Sequence, residues 1–232
     1  EEHENLVKGK PTGLVKHSSK DAVSILKEGG DQVCVKQFRY PRFWGRFKEN
    51  FRHSKGFKAW VGGNGLRIRG IPSLKPLALV EKRNWLGLKE SFFLMEGRET
   101  NQEMDRYILR GFNDFRGKRL FVKALAQWLS HFHKIGLYHK DMKACNILVL
   151  ENGRTWDFRL LDLEDVLLDK KVSEKKLFKN LLQLNTSTPR AISKMDRLRF
   201  LREYTRLHPI IKDGKRFISR LIKESEERGI VY

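Results

Sequence analysis

The chain has 232 residues, 48 of them Lys or Arg and 28 Asp or Glu, for a formal charge of +20. Apolar residues make up 40% of the chain, enough for a sizeable core, so a disordered chain is excluded. No apolar run approaches the roughly 20 residues that span a bilayer, and a field of this sign attracts polyanions: nucleic acid, an anionic membrane surface or a phosphorylated glycolipid.

Two cysteines, Cys34 and Cys145, stand far apart with no C-x-x-C. That pattern predicts neither a metal site nor a disulfide framework and fits a reducing cytosol. Residues 1–12 read as a loose polar lead-in. Three β-like runs follow, Leu14 to His17, Asp21 to Leu26 and Gln32 to Phe38, with a turn at Glu28-Gly29-Gly30-Asp31. Residues 39–60 interleave Arg39, Arg42, Arg46, Lys48, Arg52, Lys55 and Lys58 with Tyr, Phe and Trp, in spacing compatible with a helix. Gly62-Gly63-Asn64-Gly65 is expected to end that helix. Two further strands, Pro76 to Glu81 and Ser91 to Gly97, enclose a turn around Leu86-Gly87-Leu88.

Beyond residue 97 the pattern turns helical. Phe121, Leu125, Trp128, Leu129 and Phe132 form an apolar stripe on a helix expected over Arg119 to Ile135, and Gly136 stands where a glycine stops it. Helices are also expected over Lys175 to Leu184, Ser193 to Tyr204 and, as a short basic segment, Phe217 to Ile222.

Between these helices lies the stretch Leu137-Tyr138-His139-Lys140-Asp141-Met142-Lys143-Ala144-Cys145-Asn146-Ile147-Leu148-Val149. Asn152-Gly153 gives a hairpin turn, and the second strand leads to Leu160-Leu161-Asp162-Leu163-Glu164. This is the layout of a phosphoryl-transfer site. Asp141 would accept or orient the proton of a substrate hydroxyl, and Asn146 and Asp162 would hold Mg2+ against nucleotide phosphates. Lys143 would offset charge that builds on the transferred group. His133 and His139 read as structural core histidines, with His139 bracing the loop. Glu164 reads as a salt-bridge partner for a nearby Lys or Arg.

The run from His139 to Asn146, followed by Asp162, resembles the catalytic loop of the protein-kinase-like fold, H-R-D-x-x-x-x-N and then D-F-G. The resemblance implies an α+β, two-lobed protein-kinase-like fold, with a small antiparallel β lobe (residues 13–97) and a larger, mainly helical lobe (98–232). Catalytic loop 137–149 and metal-binding segment 160–165 would fall in the second lobe. It also implies that Lys36, in Val33-Cys34-Val35-Lys36, binds the α- and β-phosphates as the V-A-I-K lysine does. The hinge backbone from Glu96 to Arg98 would hold adenine, with Leu94 lining the pocket, and Glu49, the one acidic residue of 39–60, is the candidate partner for Lys36. The usual Gly-rich loop is missing. In its place stand Ser18, Ser19 and Lys20, whose N–H groups, hydroxyls and charge would cover the phosphates.

Four features narrow the resemblance: Asp162-Leu163-Glu164 in place of D-F-G, the missing Gly-rich loop, Gly70-Ile71-Pro72, and Asp196-Arg197-Leu198-Arg199-Phe200-Leu201-Arg202-Glu203-Tyr204. Over about residues 13–206 the chain resembles the bacterial lipopolysaccharide core kinases of the Kdo/heptose type. That resemblance implies an ATP- and Mg2+-dependent kinase acting on a sugar hydroxyl of the inner core, peripheral at the cytoplasmic face of the inner membrane. Its partners would be the core glycolipid and, through the basic stretches Arg39–Lys58 and Arg190–Arg206, the anionic membrane surface rather than nucleic acid. Two alternatives stay open on sequence. One is a protein Ser/Thr kinase, against which stands the lack of an A-P-E segment. The other is an inactive, basic binding module on a kinase-like scaffold, against which stands the joint retention of Lys36, Asp141, Lys143, Asn146 and Asp162.

Overall fold

A computed structural model describes residues 14–17, 21–28, 31–40, 53–85, 87–97 and 102–229. Ser19, Lys20, Glu49 and Arg98 lie outside the described residues, as does most of the basic stretch 39–60. The contacts divide the chain into two units, 1–99 with 162–165, and 100–161 with 166–232.

The first unit is an antiparallel sheet with one helix. Its strands are β1 (Leu14–His17), β2 (Asp21–Glu28), β3 (Asp31–Arg39), β4 (Pro76–Asn84) and β5 (Gly87–Glu96), in the order β1-β2-β3-β5-β4. The registers Val23↔Lys36 and Lys36↔Phe93 put Lys36 on the central strand. Val35, Phe38, Leu88 and Phe93 are buried at its core.

Helix α1 (Lys55–Ile68) is capped by Ser54, whose hydroxyl accepts from Phe57 N. It runs straight through Gly62-Gly63-Asn64-Gly65, where the sequence pattern predicts a stop. Packing explains the difference. A Cβ on Gly63 would stand 2.8 Å from Pro76 Cγ and 3.1 Å from Leu163 Cδ1, so only glycine lets the helix lie this close to β4 and to the turn at 163–165. Tertiary contact here outweighs a propensity cost of about 1 kcal/mol per glycine. Leu163, 3% exposed, fills that approach, and residues 162–165 thereby group with the first unit rather than with the helical lobe.

The second unit contains β6 (Gln102–Glu103), α2 (Met104–Arg110), α3 (Phe115–Lys134), β7 (Leu137–His139), β8 (Ile147–Asn152), β9 (Thr155–Leu160), β10 (Val166–Leu168), α4 (Glu174–Ser187), α5 (Lys194–Leu207) and α6 (Gly214–Arg228). Helix α3 starts four residues before its apolar stripe requires, because Asp114 caps it by accepting from Gly117 N. Strands β8 and β9 pair across the turn at Asn152 and Thr155, as the Asn-Gly pair predicts, and β7 pairs with β10. Helix α6 is longer than the short segment expected, carried by buried Phe217, Leu221 and Ser225 on one face.

A hydrogen-bonded histidine sits in the centre of this unit. His133, 1% exposed, accepts from the Tyr204 hydroxyl at Nδ1 (2.7 Å) and donates from Nε2 to Asn180 Oδ1 (3.1 Å). Asn180 gives its amide hydrogens to the His139 carbonyl at 2.6 Å, which identifies Oδ1 as the acceptor and fixes the imidazole as the neutral Nε2–H form. Burial pushes His133 down from 6.5 to about 3 and the Tyr204 phenol well above its usual range.

Two predictions follow from this packing. At Gly136 (φ +79°) a Cβ would overlap the Asp169 carbonyl, so Gly136→Ala lowers unfolding stability by about 2–4 kcal/mol in urea titration, combining a left-handed backbone with overpacking. Because the folded pKa of His133 lies below its unfolded value, the unfolded chain binds the extra proton between those values. Its contribution is complete above pH 6.5 and is lost as pH falls toward 3, about 2 kcal/mol by pH 5. Melting temperatures from pH 5 to 7.5 will show this slope in the wild type and a flatter one in His133→Gln.

Candidate active site

In the second unit a buried β-strand delivers the loop and a helix clamps it. Leu137 to His139 is buried. Beyond it the Gln183 side chain donates to the Lys140 carbonyl (2.9 Å) and accepts from Met142 N (3.3 Å), while Ser187 Oγ accepts from Ala144 N (2.9 Å). With Asn180 on the His139 carbonyl, these residues form one polar face of α4. They satisfy backbone groups that burial would otherwise leave unpaired. Sequence reasoning passed over all three. The available signal was Asn180, Gln183 and Ser187 at i, i+3 and i+7, a polar line on a helix whose other side is Leu-rich.

His139 braces the loop from within, as expected. Its Nδ1 accepts from Asp141 N (3.3 Å), which leaves Nε2–H to donate to Leu161 O (3.2 Å). Residues Ala144–Asn146 then form a single 3-10 turn. The turn brings Asn146 back onto Asp141, with its Nδ2 donating to the Asp141 carbonyl (2.9 Å) and to Oδ2 (3.3 Å). Lys143 Nζ stands 3.0 Å from Asp141 Oδ1. The structure thus brings Asp141, Lys143 and Asn146 together, with one carboxylate held from two sides and still 36% exposed. Such a carboxylate is aimed and open to a substrate hydroxyl.

In the first unit Lys36 faces two carboxylates. Its Nζ lies 2.5 Å from Asp162 Oδ1 and 2.7 Å from Glu164 Oε1. Burial pulls the Lys36 ammonium down, but Glu164 and Asp162 outweigh it and hold the group above its usual range. Burial pushes the Glu164 carboxyl up, with Lys36 opposing. Glu164 is therefore the salt-bridge partner that the sequence pattern suggested, and its cation is the strand lysine. Asp162 has φ +50°, the one positive value among the described non-glycine residues, in a region that aspartate tolerates better than most residues.

The segment expected to hold adenine is partly used within the first unit. The Glu96 N–H donates to Lys75 O and the Gly97 N–H to Gln32 O, so neither is open to a base. Leu94 pairs with Val35 and is half-buried. The late motif is scaffold. Arg197, buried, donates to the carbonyls of Asn185, Thr188, Pro189 and Ile192. Asp196, 2% exposed, takes Lys118 at 3.0 Å and Arg199 at 2.6 Å.

The donors suit a hard divalent cation. In the first unit the Asp162 carboxylate is 37% exposed; in the second, separately, Asn146 Oδ1 has the Cys145 thiol at 3.8 Å. Carboxylate and amide oxygens of this kind fit Mg2+, which one or two carboxylates usually hold together with substrate phosphates. Among the described residues no group of three or more His, Cys, Asp or Glu forms a metal cluster, and no helix is long and apolar enough to cross a membrane.

Comparison with known proteins adds two findings. Residues 42–204 match the family model described as the lipopolysaccharide kinase (Kdo/WaaP) family. No curated protein matches the chain. Among solved structures it is similar to one described as WaaP in complex with acyl carrier protein, with a TM-score of 0.70 and 19% sequence identity over 93% of this chain and 88% of that one. The likeness shows the fold, a small antiparallel sheet with a helical region, of kinase type.

The clamp is testable without knowing any substrate. Asn180→Leu would strand the His133 Nε2–H and the His139 carbonyl, each unpaired group costing about 1–3 kcal/mol. Urea unfolding will show a loss of about 2–4 kcal/mol, whereas substitution of exposed Lys179 will leave stability nearly unchanged.

Proposed function

The chain belongs to the lipopolysaccharide kinase (Kdo/WaaP) family, and from that membership we propose that it transfers the γ-phosphoryl group of ATP to a sugar hydroxyl, Kdo or heptose, of the lipopolysaccharide inner core. Family membership makes it a phosphotransferase. The observation that carries the finer reading is the aimed Asp141 carboxylate, held by Lys143 and Asn146 on a clamped loop.

Asp141 accepts the proton of the sugar hydroxyl as its oxygen forms a bond to the γ-phosphorus and the bond to the ADP oxygen breaks. Lys143 then offsets negative charge on the transferred group. Lys36 binds the α- and β-phosphates, and Asn146 and Asp162 are the residues that would hold Mg2+. Bound there, Mg2+ supplies charge neutralisation at the phosphates. The described cations at Arg190, Lys194 and Arg202 are exposed on or near α5. Each Lys or Arg beside an anionic leaflet is worth about 1 kcal/mol, so a few of them hold the enzyme peripherally at the cytoplasmic face, where a phosphorylated core glycolipid presents the same sign of charge.

The test is phosphate transfer from ATP with Mg2+ to intact and delipidated core acceptors. Wild type should phosphorylate a core sugar, and Asp141→Asn should lower kcat by about a hundredfold or more with an unchanged circular-dichroism spectrum. Transfer to peptides but not to core sugars would replace the acceptor in this reading, and full activity in the variant would remove Asp141 from its role.

A further inference from the structure

In protein kinases the strand lysine is held by a glutamate from the helix that follows the third strand. Here the first described helix after β3, α1, carries no acidic residue along its whole length, Lys55–Ile68. Lys36 nevertheless is charged, nearly buried and fully engaged. Its two partners come from one short turn, and they differ. Asp162 is 37% exposed, whereas Glu164 is 11% exposed, equal to Lys36 itself.

We propose that Glu164 is the fixed partner that positions Lys36 for the nucleotide phosphates, which leaves Asp162 as the exchangeable partner released to the metal. The inference rests on the reading of Lys36 as the phosphate-binding residue and assigns a positioning role that reading does not contain. The packing supports it. Glu164 is carried by the 3-10 turn Leu163–Asp165, pinned where Leu163 enters the gap that Gly63 leaves in α1 and closed by Asp165 N donating to Asp162 O at 2.9 Å. The helix thus acts on the lysine without an acidic side chain, by locating the turn that has one. A carboxylate so placed stays with Lys36 when Asp162 turns to a cation, because it is held in the packed turn at 11% exposure while Asp162 stands 37% exposed. The glutamate also occupies the D-F-G glycine position, so the flip that glycine's backbone freedom permits is resisted there.

The experiment is ATP binding to the full chain, measured by calorimetry with and without Mg2+, for wild type, Lys36→Met, Glu164→Gln, Lys36→Met/Glu164→Gln, Asp162→Asn and Glu49→Gln. We expect Glu164→Gln to weaken metal-free ATP binding tenfold or more, as Lys36→Met does, and the double variant to be no weaker than Lys36→Met alone. Asp162→Asn should leave metal-free binding within threefold and abolish the gain from Mg2+. In turnover assays Glu164→Gln should raise the KM for ATP and leave the KM for the acceptor unchanged, and Glu164→Asp should recover part of the loss, a pattern that mere destabilisation would not give. If Glu164→Gln does not fold, Glu164→Ala takes its place under the same criteria. Wild-type ATP affinity in the Glu164 variant alongside loss in Lys36→Met would overturn this inference and leave the proposed function standing, as would a loss shared by Lys36→Met and Glu49→Gln but not by Glu164→Gln. Failure of wild type to bind ATP, or equal binding by wild type and Lys36→Met, would overturn the phosphate-binding reading of Lys36 and the positioning role with it.

Discussion

A lysine ammonium can be buried in a β-sheet only if negative charge is brought to it, because desolvating it alone is prohibitive. Much of the first unit follows from that constraint at Lys36. The central strand places the ammonium, and the turn at 162–165 must reach it with two carboxylates. For the turn to reach that far, Leu163 has to enter the face of α1, and for that α1 has to be glycine at position 63. Even the left-handed backbone at Asp162 belongs to this chain of requirements, since it lets two acidic side chains two residues apart face one cation. A single charge thus determines where a helix is bare, where a turn is tight and where the backbone leaves its ordinary conformations.

The second unit solves the complementary problem, a partly buried loop from His139 to Asn146. Such a loop has no ladder to satisfy its N–H and C=O groups. Helix α4 supplies the missing partners from Asn180, Gln183 and Ser187, and His139 supplies one more from inside the loop. Rigidity is the consequence. Asp141 is aimed less by its own contacts than by the bonds that fix the peptides on either side of it. The His133–Asn180–Tyr204 set extends the same network into the core, so acid that protonates His133 acts on the very residue that holds the loop.

What was legible in the sequence was whatever is decided locally. Local pattern placed β1 to β3 to within two residues and β4 and β5 with ends three or four residues short, the apolar stripe gave α3, and Asn152-Gly153 gave the β8–β9 hairpin. The loop motif singled out Asp141, Lys143 and Asn146, which the fold sets side by side. The errors lie where distant contacts decide. Gly62 to Gly65 reads as a helix stop because glycine is a poor helix former, and nothing local reveals that β4 and the 163–165 turn need the space. Local reasoning also did not name the cation that Glu164 meets, because that pairing spans 128 positions; the candidate Glu49 lies outside the described residues. The polar face of α4 was overlooked because its residues mean little until the loop they clamp is in place.

The basic composition shows the same division between count and placement. Net charge is a sum over residues, but a polyanion meets only those that face it. Lys36 serves inside the first unit; Lys118 and Arg197 serve inside the second, Lys118 against buried Asp196 and Arg197 against four backbone carbonyls. Arg199 and Arg206, both exposed, are turned toward Asp196 and Glu203. The stretch from Arg190 to Arg206 therefore presents separate exposed cations at Arg190 and Arg202, with Lys194 3.7 Å from Glu226, rather than a continuous basic face. Separate exposed cations of this kind offer an anionic partner weak, additive contacts of about 1 kcal/mol each.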